Sequence, residues 1–180
     1  SNVNTPRKIK LILPNGSDAR TMLTAENPLS EYELGGMKIN TLQSVSGELL
    51  YTRTYYPPAM DSLKQYPVII YVYGGPHTQL ISNSWQGGQG DLWFYYLAQE
   101  GFIVYTVDGR GSGNRGKQFE QAIFRNCGNA EMEDQLTGLK YLKSLPYVDS
   151  TRIGVDGWSY GGFMTTWLIG NYQGWKCAVA

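Results

Sequence analysis

The chain has 180 residues, with 15 Lys and Arg against 15 Asp and Glu and a formal charge of zero. That balance argues against a protein held on nucleic acid by phosphate contacts, which concentrates basic residues on one face. No uninterrupted apolar run approaches the length of a membrane span, and the basic first ten residues lead into no signal-like apolar core.

Residues 8–13 and 19–24 alternate apolar and polar around Pro14-Asn15-Gly16-Ser17, the pattern of a β-hairpin turned at Asn-Gly. A polar, Pro-bearing connector, 25–36, leads to a second alternating pair, 37–44 and 49–55. That pair turns at Ser46-Gly47 and stops at Pro57-Pro58. From Pro67 the pattern changes: residues 68–73 form a continuous apolar run, suited to a strand buried on both faces of a parallel sheet. Residues 102–107 and 152–155 repeat the signal, and 177–180 begin another. Helices are predicted over 91–99 and 131–145. The second carries Leu136, Leu139, Tyr141 and Leu142 on a core stripe, with Asn129 as its cap and Glu131, Glu133 and Asp134 in its first turn. This alternation of strands and helices predicts an α/β fold with a parallel sheet.

Gly157-Trp158-Ser159-Tyr160-Gly161, followed by Gly162, lies between the strand at 152–155 and an apolar helical segment at 163–169. It matches G-x-S-x-G in the strand–turn–helix context that the chemistry requires. Small neighbours let the turn adopt a strained backbone and lift the serine Oγ above the sheet edge. Ser159 is therefore the candidate nucleophile. The N–H of Tyr160 is one candidate oxyanion donor, and a second is expected from the loop Tyr73-Gly74-Gly75-Pro76. Residues 111–116 satisfy G-x-G-x-x-G, but a dinucleotide fingerprint opens the first strand of its unit and runs straight into a long helix. Here several elements precede it and Cys127-Gly128 cuts off the following segment, 117–126, so a structural loop and no cofactor are expected. Cys127 and Cys177 are too few for a disulfide framework and lack paired metal-ligand spacing, so no metal is expected either.

An activated serine needs a general base, normally a histidine oriented by a carboxylate, and in α/β-hydrolases the order is Ser, then Asp or Glu, then His. The residues after Ser159 include none of the three, and His77 is the single histidine. A different order, His77, Asp108, Ser159, would bring together three residues beyond the carboxyl ends of strands. The simpler expectation is a solvent-facing His77 and an Asp108 that caps backbone.

Four ordered segments carry a resemblance: residues 71–76, Asp108-Gly109-Arg110-Gly111-Ser112-Gly113, Glu131-Met132-Glu133-Asp134-Gln135, and 157–162. They resemble the catalytic domain of prolyl oligopeptidase-type serine peptidases, most closely the dipeptidyl peptidase IV branch and its bacterial members. The resemblance implies a β-propeller whose last hairpin and linker occupy residues 1–36. Residues 37–180 would then be the N-terminal part of an α/β-hydrolase domain, incomplete at its C-terminal end. It implies Ser159 as nucleophile, the Tyr160 N–H and Tyr73 hydroxyl as the oxyanion hole, and Tyr160 and Trp158 at a pocket for proline. The triad Asp and His would lie outside this chain. It further implies release of Xaa-Pro or Xaa-Ala dipeptides through an acyl-enzyme, with peptides carrying a penultimate proline as partners. No cofactor and no nucleic acid are implied, the full-length chain would form a homodimer, and the location would be the periplasm or cell envelope. The segment alone is expected to be inactive. An acylaminoacyl or tripeptidyl peptidase, an esterase, and a non-catalytic fragment are the alternatives.

Overall fold

The computed structural model describes residues 2–85 and 92–180, so Ser1 and Asp91, the first residue of the helix expected at 91–99, lie outside the described residues. Strands β1 (Lys8–Ile12) and β2 (Asp18–Thr24) pair antiparallel in a two-stranded sheet of their own. Gly16, at φ 83°, supplies the left-handed residue of the turn, which closes by Gly16 N–H donating to Leu13 O at 2.8 Å and Leu13 N–H to Ser17 O at 2.9 Å. Every residue of both strands is exposed, Ile9, Leu11, Met22 and Leu23 included.

The other strands form one six-stranded sheet. In chain order they are β3 (Met37–Gln43), β4 (Leu49–Tyr55), β5 (Tyr66–Tyr71), β6 (Ile103–Asp108), β7 (Val148–Asp156) and β8 (Cys177–Val179). Their spatial order is β3-β4-β6-β5-β7-β8. β3, β4 and β6 pair antiparallel, whereas β6, β5, β7 and β8 run parallel. The sheet is mixed because the short Ser46-Gly47 turn can only reverse the chain, while parallel neighbours need a crossover. β7 starts four residues earlier than the apolar signal at 152, because Val148 already pairs with Tyr66; Asp149, Ser150 and Thr151 lie at the register shift before Ile153 pairs with Val68.

Strand period two sets the layers. Ile103, Tyr105 and Val107 of β6 join Val68, Ile70 and Ile153 on one face, where α3 (Asn129–Ser144) buries Leu139 and Leu142. Val104 points the other way, into a cluster with Met37 and Tyr55 and with Phe94 and Ala98 of α1 (Leu92–Gln99). Between β6 and α3 runs the short α2 (Lys117–Glu120), continued by one 3₁₀ turn. The last helix, α4 (Tyr160–Asn171), packs Met164 and Leu168 on Val72 and Val155. Beside Trp93 and Leu97, on the face of Ile69 and Asp156, the outer strands β7 and β8 line an open groove of about 330 Å³. Among the described residues no helix is long and apolar enough to cross a membrane.

The cap of α3 corrects the sequence reading. Asn129 is already helical and its side-chain amide donates to Asn126. The capping position is Gly128, whose N–H donates to Glu131 Oε2 at 2.9 Å. Gly128 sits at φ 99°, and a Cβ there would stand 2.6 Å from the Trp167 ring, so neither the backbone nor the space admits the usual polar cap residue.

Candidate active site

β7 ends at Asp156 and α4 begins at Tyr160, so the chain reverses within Gly157-Trp158-Ser159. Ser159 has φ 60° and ψ −120°, backbone angles that cost a residue bearing a Cβ about 1–3 kcal/mol and persist only where the surroundings enforce them. It occupies the N-cap of α4, where a serine ordinarily turns its hydroxyl onto a helix amide. Ser159 makes no such bond and is exposed. Backbone bonds hold the turn instead: Gly157 N–H to Val179 O at 3.1 Å, Gly161 N–H to Trp158 O at 2.8 Å and Phe163 N–H to Ser159 O at 3.1 Å.

The two glycines of the motif are demanded by close approach. A Cβ on Gly157 would stand 2.7 Å from the Val72 carbonyl oxygen, and one on Gly161 would overlap that oxygen and lie 3.2 Å from the Tyr73 Cα. The elbow is thus pressed against the end of β5, which brings the Tyr73 loop to the serine turn. Gly75 is required there as well, because the Tyr73 ring lies across it. The Tyr160 N–H, at the first helical position, is among the amides that a helix leaves without internal partners, at the positive end of the dipole.

An aromatic row flanks the turn. The Tyr73 and Tyr160 rings are 6.4 Å apart, Tyr160 meets Phe163 edge-on at 5.1 Å, and Phe163 meets Trp167 at 5.8 Å. Trp158, next to Ser159, is 75% exposed. The Tyr160 hydroxyl donates to Glu131 Oε1 at 2.7 Å. Burial, then Cys127 and Glu131, raise the Tyr160 phenol well above the ordinary tyrosine range, so it remains a donor. Sequence reading missed Phe163 and the contact with Glu131. Phe163 read simply as part of an apolar helix, and Glu131 as a first-turn acid; its spacing from Gly128 signals the cap, but no sequence signal links it to Tyr160.

The loop after β6 serves as scaffold. Asp108 is buried, and its two carboxyl oxygens accept the N–H groups of Leu80 at 3.1 Å and Ile81 at 2.8 Å. It caps backbone as expected, though in the loop after β5 rather than in its own turn. Arg110 lies on Asp134, donating from Nε at 3.0 Å and Nη2 at 2.9 Å, while its backbone N–H reaches the same carboxylate at 2.7 Å. Glu133 and the Ala130 carbonyl also accept from Nη2. The Asp134 bond, opposed by burial and aided by Glu133, raises the Arg110 pKa further. Two glycines of the 111–116 pattern pack inward: a Cβ on Gly111 would strike Ile123, and one on Gly113 would stand 2.6 Å from the His77 carbonyl oxygen. His77 itself is exposed and its Nδ1 pairs with Glu120. With Asp108 bonded to backbone and His77 to Glu120, the order His77, Asp108, Ser159 is not assembled into a triad.

An α/β protein with a strained serine between a strand and a helix, packed on a tyrosine loop from the neighbouring strand, has the architecture of the serine hydrolases that use an elbow. More narrowly, the chain belongs to the prolyl oligopeptidase family, whose profile matches residues 90–180, just over half its length. It is 37% identical over 150 residues to human dipeptidyl peptidase 8, covering 81% of this chain and 16% of that one. To mouse prolyl endopeptidase FAP it is 35% identical over 157 residues, covering 86% and 20%. A crystal structure from Bacteroides ovatus described as a dipeptidyl aminopeptidase IV matches all of this chain and 26% of its own, with TM-score 0.93 and 46% identity. Porphyromonas gingivalis dipeptidyl peptidase 4 matches over the same shares, with TM-score 0.85 and 30% identity. The family expected from the four motifs is borne out. The chain spans a fifth or less of these curated relatives and about a quarter of the solved structures.

Proposed function

We propose that this chain carries the nucleophilic half of the active site of a dipeptidyl peptidase IV-like serine exopeptidase. The observation that carries the reading is Ser159: an exposed, uncapped hydroxyl held at φ 60° at the head of a helix, against the Tyr73 loop. Its Oγ attacks the carbonyl carbon after a penultimate proline or alanine and forms an acyl ester as the C–N bond breaks. The serine proton passes by way of a histidine to the leaving amine, and water then releases the dipeptide acid and restores the serine. The oxyanion is held by the Tyr160 N–H and the Tyr73 hydroxyl. Tyr160, with Trp158 beside it, borders the proline pocket, a reading supported by the apolar row of Tyr73, Tyr160 and Phe163, which suits a flat, uncharged ring.

The histidine and its carboxylate come from outside residues 1–180, so the segment alone does not turn over. The six-stranded sheet is the N-terminal part of an α/β-hydrolase sheet. This is supported by the exposed edge strand β8 and the uncovered groove beside it. The β1–β2 hairpin is the end of a propeller blade, supported by its separation from the main sheet and its exposed Ile9, Leu11 and Leu23, which a lone hairpin leaves unburied. A dimeric, periplasmic or envelope-bound peptidase completes the reading.

The test is labelling of the full-length enzyme by a fluorophosphonate probe, with Gly-Pro anilide, acylaminoacyl and simple ester substrates compared in parallel. Labelling that disappears in Ser159→Ala and preference for Gly-Pro anilide are expected. Labelling that persists in that variant rejects Ser159, and preference for the other substrates rejects the dipeptidyl peptidase reading.

A further inference from the structure

Glu131 is a residue that the mechanism above does not use, although it stands at the junction of its two halves. It is 1% exposed, on the first turn of α3, where the helix dipole favours an acid. One carboxyl oxygen accepts the Gly128 N–H at 2.9 Å, which fixes the group to the start of α3. The other accepts the Tyr160 hydroxyl at 2.7 Å, from the residue that follows Ser159. Its aliphatic stem lies under the neighbouring loop: a Cβ on Gly74 would stand 3.7 Å from the Glu131 Cγ and 3.4 Å from the Met164 Cγ. Gly74 is in the left-handed region at φ 66° and directly follows Tyr73. One buried side chain therefore bonds the residue that follows Ser159 and lies alongside the loop bearing Tyr73, and it belongs to a sixteen-residue helix packed on the core.

We infer that Glu131 is a positioning residue of this active site, setting the spacing between the Tyr160 N–H and the Tyr73 hydroxyl and fixing the Tyr160 ring as pocket wall. The inference rests on the assignment of Ser159 as nucleophile. Helix capping alone would need only the Gly128 bond. The Tyr160 bond is the part with a consequence for catalysis, because the ring and the N–H next to Ser159 belong to one residue.

The experiment measures kcat and KM for Gly-Pro anilide, together with thermal unfolding, in the full-length enzyme and its Glu131→Ala, Glu131→Gln, Tyr160→Phe and Glu131→Ala/Tyr160→Phe variants. Glu131→Ala is expected to lower kcat roughly 10-fold or more, the effect of a slightly misplaced catalytic group, with a smaller change in KM. Glutamine can keep both contacts, its oxygen accepting the Gly128 N–H and its amide donating to the phenol oxygen, so Glu131→Gln recovers most of kcat. Tyr160→Phe lowers kcat comparably, and the double variant is no worse than the poorer single one, since both break one linkage. Losses that multiply in the double variant, or an unaltered kcat in Tyr160→Phe, overturn the inference. The second outcome decides the matter even where Glu131→Ala does not fold. Failure of the nucleophile assignment is seen separately, as fluorophosphonate labelling that survives in Ser159→Ala.

Discussion

Replacing Gly161 by alanine tests the contact between the serine turn and the end of β5. The added methyl would meet the Val72 carbonyl oxygen well inside van der Waals contact and lie 3.2 Å from the Tyr73 Cα, both backbone atoms that no rotamer change can move. To restore ordinary contact, the elbow has to retreat from β5 by about 1 Å. Overpacking of this kind costs about 1–3 kcal/mol, while alanine in place of glycine within a helix gains about 0.5–1 kcal/mol, leaving a net loss of about 1–2 kcal/mol. The displacement also separates the Tyr160 N–H from the Tyr73 loop, and a shift of about 1 Å at reacting groups lowers kcat by about 10²-fold. Gly162 is the control. A Cβ there meets nothing nearer than the Gly157 carbonyl oxygen at 3.5 Å and the Ala180 backbone at 3.7 Å, so alanine brings only the helix gain. Urea unfolding and kcat on Gly-Pro anilide, measured for both variants in the full-length enzyme, decide the matter. A Gly161→Ala variant as stable and active as Gly162→Ala would refute the reasoning.

Three further outcomes follow from the same geometry. Tyr73→Phe should lower kcat by about 10²-fold or more, the usual loss of one oxyanion donor, with KM changing less; an unchanged kcat removes the hydroxyl from the mechanism. Asp134→Ala leaves Arg110, among the described residues, with Glu133 and a carbonyl in a site where the arginine side chain is 14% exposed and the aspartate was fully buried. Breaking one side of a buried pair costs about 3–5 kcal/mol, to be read from urea unfolding, and a loss below about 1 kcal/mol would mean that the pair is not what holds the loop after β6. Asp149 is held down to about 2 by the Thr151 hydroxyl and by Arg152, below its ordinary 3.8. A lowered folded-state value stabilises above the unfolded value and is lost as pH falls. The stability advantage over Asp149→Asn should therefore be full above pH 4 and fade towards pH 2, and an advantage independent of pH contradicts the assignment.

The elements were legible where one kind of burial dominates. The two hairpins announced themselves through alternation and Gly turns, and β5 and β6 through unbroken apolar runs, because a strand covered on both faces has no polar face to alternate with. Legibility failed where polar residues do buried work. It failed too where a strand runs through an irregular, solvent-facing stretch, as at Asp149 to Thr151 of β7, which lie at a register shift and carry no apolar signal. The start of α3 was misread because its cap is a glutamate reaching back to a glycine amide under the Trp167 ring. Asp108 was expected to cap its own turn and instead caps the loop at Leu80 and Ile81, a partner chosen by sheet order rather than by sequence distance.

The sequence by itself determined the identity of the candidate nucleophile, the strand–turn–helix frame around it, the lack of Asp, Glu and His among residues 160–180, and the family. These are local facts: a spacing, a glycine pattern, a count. Only the tertiary structure decided that the elbow presses on the end of β5, that the Tyr73 and Tyr160 rings stand 6.4 Å apart, and that His77 pairs with Glu120 rather than with Asp108. It alone joined Glu131 to Tyr160, two residues on different helices. The reason is that a parallel sheet orders its strands by packing and not by sequence. β6 therefore lies between β4 and β5, and residues distant in the chain meet at one edge of the sheet.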